Sequence, residues 1–221
     1  KIELSRSLSV MSTAMVWGAN GGIGRALVDE LIAKDWTVVA VSRNEDALHG
    51  IATHSFHAEV GDPFSVQRAV QGAAFEVNAV DLWVYSVGDI VAAPVADMDS
   101  ATWQRILASN LTGAYLTAHA SLPLLSPTAH MVFVGAVSER LRLPGLSAYA
   151  AAKAGLEAFA ETLRKEQRQR RVTIVRPSAV ATPLWDKVPL RMPKDAAPPG
   201  KVAARILAAY SDGHSGVLDL T

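Results

Sequence analysis

Seven short apolar runs rich in β-branched residues punctuate this chain, and longer stretches with a helical period separate them. The runs are Ala14–Trp17, Thr37–Val41, Ser55–Ala58, Asp81–Tyr85, His130–Val134, Val172–Val175 and Val217–Leu220. Each is almost continuously hydrophobic rather than alternating, which is how a strand reads when both faces of a parallel sheet are covered. The helical patterns between them span Gly22–Lys34, Pro63–Ala74, Ser100–Leu122, Leu146–Gln169 and Pro199–Ser211. This alternation predicts an α/β architecture: one doubly wound parallel sheet of about seven strands, with right-handed crossovers that put helices on both faces.

Length and composition fit one domain. At 221 residues, half of them hydrophobic, the chain can bury a sizeable core of its own. No repeat or low-complexity linker divides it, so residues 11–221 read as a single domain. Residues 1–10 read as an appended or disordered N-terminal extension without the apolar stretch of a signal peptide. Basic and acidic side chains number 21 each, so the basic excess that nucleic acid or an anionic membrane attracts is missing. The most apolar region, Val77–Ala96, holds Asp81, Asp89 and Pro94, which a membrane span would tolerate poorly. With no cysteine, disulfides, thiolate metal sites and a cysteine nucleophile are excluded, and a cytoplasmic location is compatible. His49, His54, His57, His119, His130 and His214 show no repeated ligand spacing, and no metal site is expected.

Gly18-Ala19-Asn20-Gly21-Gly22-Ile23-Gly24 lies where the first strand should turn into the first helix. Missing Cβ atoms let the backbone turn tightly and let a pyrophosphate approach the amides between Asn20 and Gly24. The helix N-terminus adds free N–H donors and the positive end of a dipole. A plain glycine-rich turn is the alternative; the strand before and the helix after favour the phosphate loop. The second run ends in Ser42-Arg43. An acidic side chain there would bind a ribose 2′-hydroxyl, whereas a hydroxyl followed by a guanidinium suits a 2′-phosphate. NADP(H) is therefore expected over NAD(H), with a solvated surface arginine as the competing reading. Glu59, after the third run, belongs either at an adenine edge or in solvent.

Tyr149 and Lys153 stand four apart and share a helix face. A tyrosine titrating at about 10 exchanges protons poorly at neutral pH, and a nearby ammonium would lower that value. Tyr-x-x-x-Lys recurs by chance, so the argument rests on its company with the glycine loop.

Together these residues resemble the short-chain dehydrogenase/reductase family over roughly Ala14–Leu220. Gly18, Gly22 and Gly24 match its glycine motif, and Tyr149 with Lys153 its Tyr-x-x-x-Lys pair. The resemblance implies a Rossmann-type fold and hydride transfer between a nicotinamide and a small carbonyl or secondary alcohol. It makes Tyr149 the acid/base, with Lys153 lowering its pKa and holding the ribose. Asn110, in Asn110-Leu111-Thr112-Gly113, is similar to the helix asparagine that supports a relay of water and protons to the lysine. Pro177-Ser178-Ala179-Val180-Ala181-Thr182 is similar to the family's Pro-Gly-x-Val-x-Thr segment. That likeness implies a Val180 backbone that holds the carboxamide and a Thr182 hydroxyl on the carboxamide or a phosphate. Asp62, or Glu59 with Val60 after it, resembles the adenine-binding segment, with Glu59 replacing the usual aspartate. The small residues along Leu146–Gln169 serve either sheet packing or, with Ser100–Leu122, a subunit contact in a homodimer or homotetramer.

Two departures stand out. Tyr85-Ser86-Val87-Gly88 replaces the family's Asn-Asn-Ala-Gly, leaving Ser86 and Gly88 as an altered cofactor wall. The substrate-orienting serine should fall thirteen positions before the tyrosine, where Ala136 stands. Ser138 is the nearest hydroxyl, about 6.6 Å further along an extended chain, and substitutes only if the loop bends. A donor aimed at a developing oxyanion is worth roughly 10²–10³ in rate. The alternative function is therefore a cofactor-binding redox sensor or scaffold with little turnover. Trp185, Leu190 and Met192 read either as a lid over an apolar substrate or as a plug for the domain.

Overall fold

All seven apolar runs pair as strands in the computed structural model, which describes residues 11–220; the expected extension, residues 1–10, lies outside them. The strands are β1 (Thr13–Trp17), β2 (Thr37–Ser42), β3 (His54–His57), β4 (Val80–Tyr85), β5 (Leu125–Val134), β6 (Arg171–Pro177) and β7 (Gly216–Leu220). They form one parallel sheet in the order β3-β2-β1-β4-β5-β6-β7. The chain winds outward from β1 to β3 and then returns to β4 on the other side of β1. That reversal opens a crevice above the carboxyl ends of β1 and β4, the usual place for a ligand in such sheets.

Successive side chains on a strand point to opposite faces, so each strand feeds two cores. Met15, Trp17, Trp83, Tyr85 and Phe133 pack on one face against α2 (Pro63–Glu76), α4 (Gly113–Ser121) and α5 (Ser147–Glu166). Ala14, Val16, Leu82, Val84 and Val132 pack on the other against α1 (Gly22–Ile32) and α6 (Pro199–Ser211). Both faces are dry, which explains the continuous apolar runs. Helix starts follow local chemistry: Asp62 caps α2 through Phe64 N–H, followed by Pro63 at the first position, and Asp99 caps α3 (Ser100–Leu107) through Thr102 N–H.

The single helix expected over Ser100–Leu122 is not single. After α3 the chain makes a π-helical turn, Ala108–Thr112, in which Gly113 N–H reaches back five residues to Ala108 O, and only then does α4 begin. β5 is also longer than expected, and its pairing with β4 slips between Val80 and Leu82, accommodating Pro127 away from the ladder. Other ends differ by one to three residues, as fraying termini do.

His130, midway along β5, has no exposed surface. Its Nε2 lies 2.8 Å from Thr173 Oγ1, and its ring stacks on Tyr210. Burial, reinforced by Arg171 and His214, pulls its pKa down to about 3. An unfolded histidine titrates at about 6.5, so the folded state resists protonation. The stability this confers is complete above that value and drains away as pH falls toward 3, at about 1.4 kcal/mol per unit. Urea unfolding compared at about pH 7 and about pH 5 should show roughly 2 kcal/mol lost through this group. His130→Gln should be spared that share; an equal loss in the variant would refute the assignment.

Candidate active site

β1 runs directly into the glycine loop, and α1 begins at Gly22. Gly18 has φ of 80°, a region that strains any residue with a Cβ. The N–H groups of Gly18 and Ala19 both donate to Val41 O, at 2.9 and 3.1 Å, fastening the loop to the end of β2. A Cβ on Gly24 would collide with the Gly18 carbonyl oxygen and stand 2.7 Å from Ser86 Oγ. One on Gly22 would stand 2.6 Å from Thr182 Cγ2. The loop, the end of β4 and the segment after β6 thus close on one another only because those atoms are missing. α1 has Gly21 as its N-cap and no described side-chain cap, so the first-turn amides of Gly22, Ile23 and Gly24 are free for an anionic ligand. Asn20 is exposed beside them.

Lys153 and Tyr149 lie one turn apart on α5, only 4% and 8% exposed. Lys153 Nζ donates to Val134 O at 3.0 Å, at the end of β5, and stands 5.7 Å from the centre of the Tyr149 ring. A Cβ built on Gly88 would lie 3.4 Å from Asn110 Oδ1 and 4.0 Å from Lys153 Nζ, so these three residues meet. Asn110 sits in the π-helical turn, fully buried; its Nδ2 donates to Asp89 O and Ile106 O at 2.7 and 2.9 Å. Its Oδ1 finds no partner among the described residues. The expected lowering of the tyrosine pKa is reversed here. Burial pushes Tyr149 up to about 12 and Lys153 down to about 8. The ammonium faces the ring and a backbone carbonyl, and desolvation dominates both groups.

The description short chain dehydrogenase matches residues 12–192, most of the chain. The chain belongs to that family. An uncharacterized short-chain type dehydrogenase/reductase of Sinorhizobium fredii is 35% identical over 179 residues, covering 77% of this chain. This chain spans only 33% of that protein's length. The 3-oxoacyl-(acyl-carrier-protein) reductase of Escherichia coli is 27% identical over 73% of this chain and 69% of its own. Among solved structures, an alcohol dehydrogenase of Thermococcus sibiricus complexed with 5-hydroxy-NADP superposes with a TM-score of 0.87 at 21% identity, covering 95% of this chain and 96% of that one. That likeness speaks for the fold.

Several expected contacts take a different form in this short-chain dehydrogenase. Ser42 builds its own turn: its hydroxyl donates to Asn44 O at 2.7 Å and accepts from Asn44 N–H. Arg43 beside it is exposed, as is Glu59, whose N–H donates to Ser65 Oγ. Val60 packs under Gly113. Ser86 Oγ donates to Trp17 O at 2.7 Å, tying β4 to the glycine loop. Ser138 lies on a 3₁₀ turn, Ser138–Leu141, and its hydroxyl donates to Glu157 at 3.4 Å, two helical turns beyond Tyr149. Glu157 in turn holds Arg176 at 2.9 Å, which also pairs with Glu139 and Asp219. The hydroxyl is therefore engaged in that ionic network, whereas the substitution considered for it requires the hydroxyl beside Tyr149.

Pro177 ends β6 buried, and Val180 follows, also buried, bridging Ala197. The Val180 carbonyl accepts from Trp185 Nε1 at 2.8 Å, pinning the segment after it. Leu190 and Met192 stay 40% and 44% exposed, so they do not plug the domain. The same segment reaches back through Lys187, whose Nζ lies 2.7 Å from Asp89 Oδ1, while Asp89 also pairs with Arg105. The sequence gives no sign that Asp89 pairs with Arg105 and Lys187; the one available signal was an acid directly after Gly88.

Gly24→Ala should destabilise the fold by about 1–3 kcal/mol, because its methyl meets backbone. Gly22→Ala, whose methyl meets the Thr182 side chain, should lose less. Urea denaturation of both variants decides it, and equal midpoints would contradict the closure described.

Proposed function

We propose that this chain is an NADP(H)-dependent oxidoreductase that interconverts a small ketone and a secondary alcohol. The convergence of Tyr149, Lys153 and Asn110 beside Gly88, at the same sheet end as the glycine cradle, carries this reading. The named activities of relatives point the same way: the Escherichia coli protein is a 3-oxoacyl reductase, and an Eggerthella lenta relative is a 3beta-hydroxysteroid dehydrogenase. In this reading Gly18, Asn20, Gly22, Ile23, Gly24 and Thr182 surround the pyrophosphate, and Arg43 takes the 2′-phosphate. Glu59 and Val60 flank the adenine, while Ser86, Gly88, Pro177 and Val180 wall the nicotinamide half. When bound, the dinucleotide supplies or receives the hydride.

The chain's own groups manage the proton. With a pKa near 12, the Tyr149 hydroxyl is fully protonated at neutral pH and serves as general acid to the carbonyl oxygen during reduction. Lys153, at about 8, is still mostly charged there and stands ready to resupply that proton, and the unpartnered Asn110 Oδ1 offers a hydrogen-bond acceptor that would hold a water able to reprotonate the amine. Ala136 offers no second donor, so polarisation of the substrate falls to Tyr149 alone. That same gap favours a second reading, a cofactor-binding protein with little turnover. The one-domain unit, residues 11–221, is taken to act in the cytoplasm as a homodimer or homotetramer, with the α4 and α5 faces around half-exposed Tyr115 in contact.

NADPH oxidation should appear with at least one member of a panel of ketones, aldehydes and quinones, and Ala136→Ser should speed it by up to roughly 10²–10³. Ser138→Ala should leave it nearly unchanged. Tight NADPH binding with a silent panel, for parent and Ala136→Ser alike, would instead establish the binding-protein reading. Arg43→Ala should weaken NADPH about 10- to 100-fold and leave NADH unaffected, as loss of a charge-assisted contact does. Equal affinities of the parent for both cofactors would refute the NADP(H) assignment.

A further inference from the structure

Tyr85 stands where the family motif has its first asparagine, and the reaction outlined above gives it no task. It ends β4 with no exposed surface, stacked on Trp83. Burial drives its pKa upward, so it remains a protonated donor. The hydroxyl crosses to the neighbouring helix and donates to Ser109 O at 2.7 Å. Ser109 lies inside the π-helical turn, directly before Asn110. Such turns displace carbonyls from the regular ladder, and a buried carbonyl needs another donor. Gly113, which closes the turn, accommodates the phenol: a Cβ there would stand 2.6 Å from Tyr85 Oη. On the other side of the same turn, Asn110 presents its free Oδ1 beside Gly88 and Lys153.

We propose that Tyr85 is a positioning residue for proton transfer: its bond to Ser109 O holds the π-helical turn that aims the Asn110 side chain at Lys153. The proposal rests on the hydride-transfer reading, and it names a role for the residue by which this chain departs from the family motif. Tyr85 has no exposed surface to offer a substrate or cofactor. It acts through the rotation of one turn of helix, which sets where the Asn110 carboxamide points.

Tyr85→Phe removes only the hydroxyl. The variant should keep the parent's NADPH affinity and carbonyl KM while kcat falls on the order of tenfold or more, as small displacements of acting groups produce. In an Asn110→Ala background the same change should cost nothing further, because the effect passes through Asn110. An unchanged kcat, or an equal fall in both backgrounds, would overturn the proposal. If Tyr85→Phe does not fold, 4-aminophenylalanine at position 85 keeps a donor and should retain the parent kcat; a tenfold loss there would also overturn it. A readout independent of turnover is the Asn110 side-chain amide in NMR spectra. Its protons should exchange slowly in the parent and fast in Tyr85→Phe, and equal exchange rates would refute the role. A parent without turnover on any carbonyl would defeat the proposed function, and the amide exchange would still decide this inference.

Discussion

Three stretches of chain that are far apart in sequence meet over the junction of β1 and β4, and they can do so only where side chains are missing. Gly24 lies against Gly18 and Ser86, and Gly22 lies against Thr182. This is a steric constraint before it is a binding feature. It sets how closely α1 approaches the sheet, leaves the first-turn amides facing the crevice, and draws the ends of β4 and β6 to the same point. The places of Lys153 and Asn110 follow from it. Val134, which receives Lys153, and Gly88, which borders Asn110, sit at strand ends whose heights are fixed by parallel pairing to β1 and to each other.

Burial is the second organising force. Tyr149 and Lys153 are held in a dry setting that favours the uncharged form of each, so the phenol stays an acid and the amine sits within reach of neutrality. In the oxidoreductase proposed above, the arrangement would suit delivery of a proton to a carbonyl better than its removal from an alcohol. The long-range charge pairs occupy the rim: Arg176 knits β6, β7, α5 and the turn after β5 together, and Asp89 joins three separate segments.

Strand positions, their parallel pairing and the glycine loop were legible in the sequence because each depends on a local pattern: continuous apolar runs, or glycines at a strand-to-helix turn. Pro199–Ser211 was read to the residue. The break at Ala108–Thr112 was not legible, since a contact it makes, the bond from the Tyr85 hydroxyl to Ser109 O, comes from a strand more than twenty residues away. Hydrogen-bond partners were beyond reach for the same reason. Ser138 and Ser42 offer hydroxyls at plausible positions, but competition from Glu157 and from the Asn44 backbone decides where they point. The tyrosine pKa was misjudged because proximity of a cation in sequence says nothing about which atoms it faces or how dry the setting is.

The pairing around Asp89 has a consequence for the segment after β6. Three partners share this carboxylate: Lys187 from the segment after β6, Arg105 from α3, and the N–H of Ile90. If the flap carrying Lys187 swings away, the acid keeps two of them, and the lysine, already half in water, regains its hydration. No ion is stranded in a dry place, which is the circumstance that makes breaking a buried pair costly. Release of Lys187 from Asp89 would therefore carry little energetic penalty, while the indole of Trp185 still ties the same segment to Val180 O.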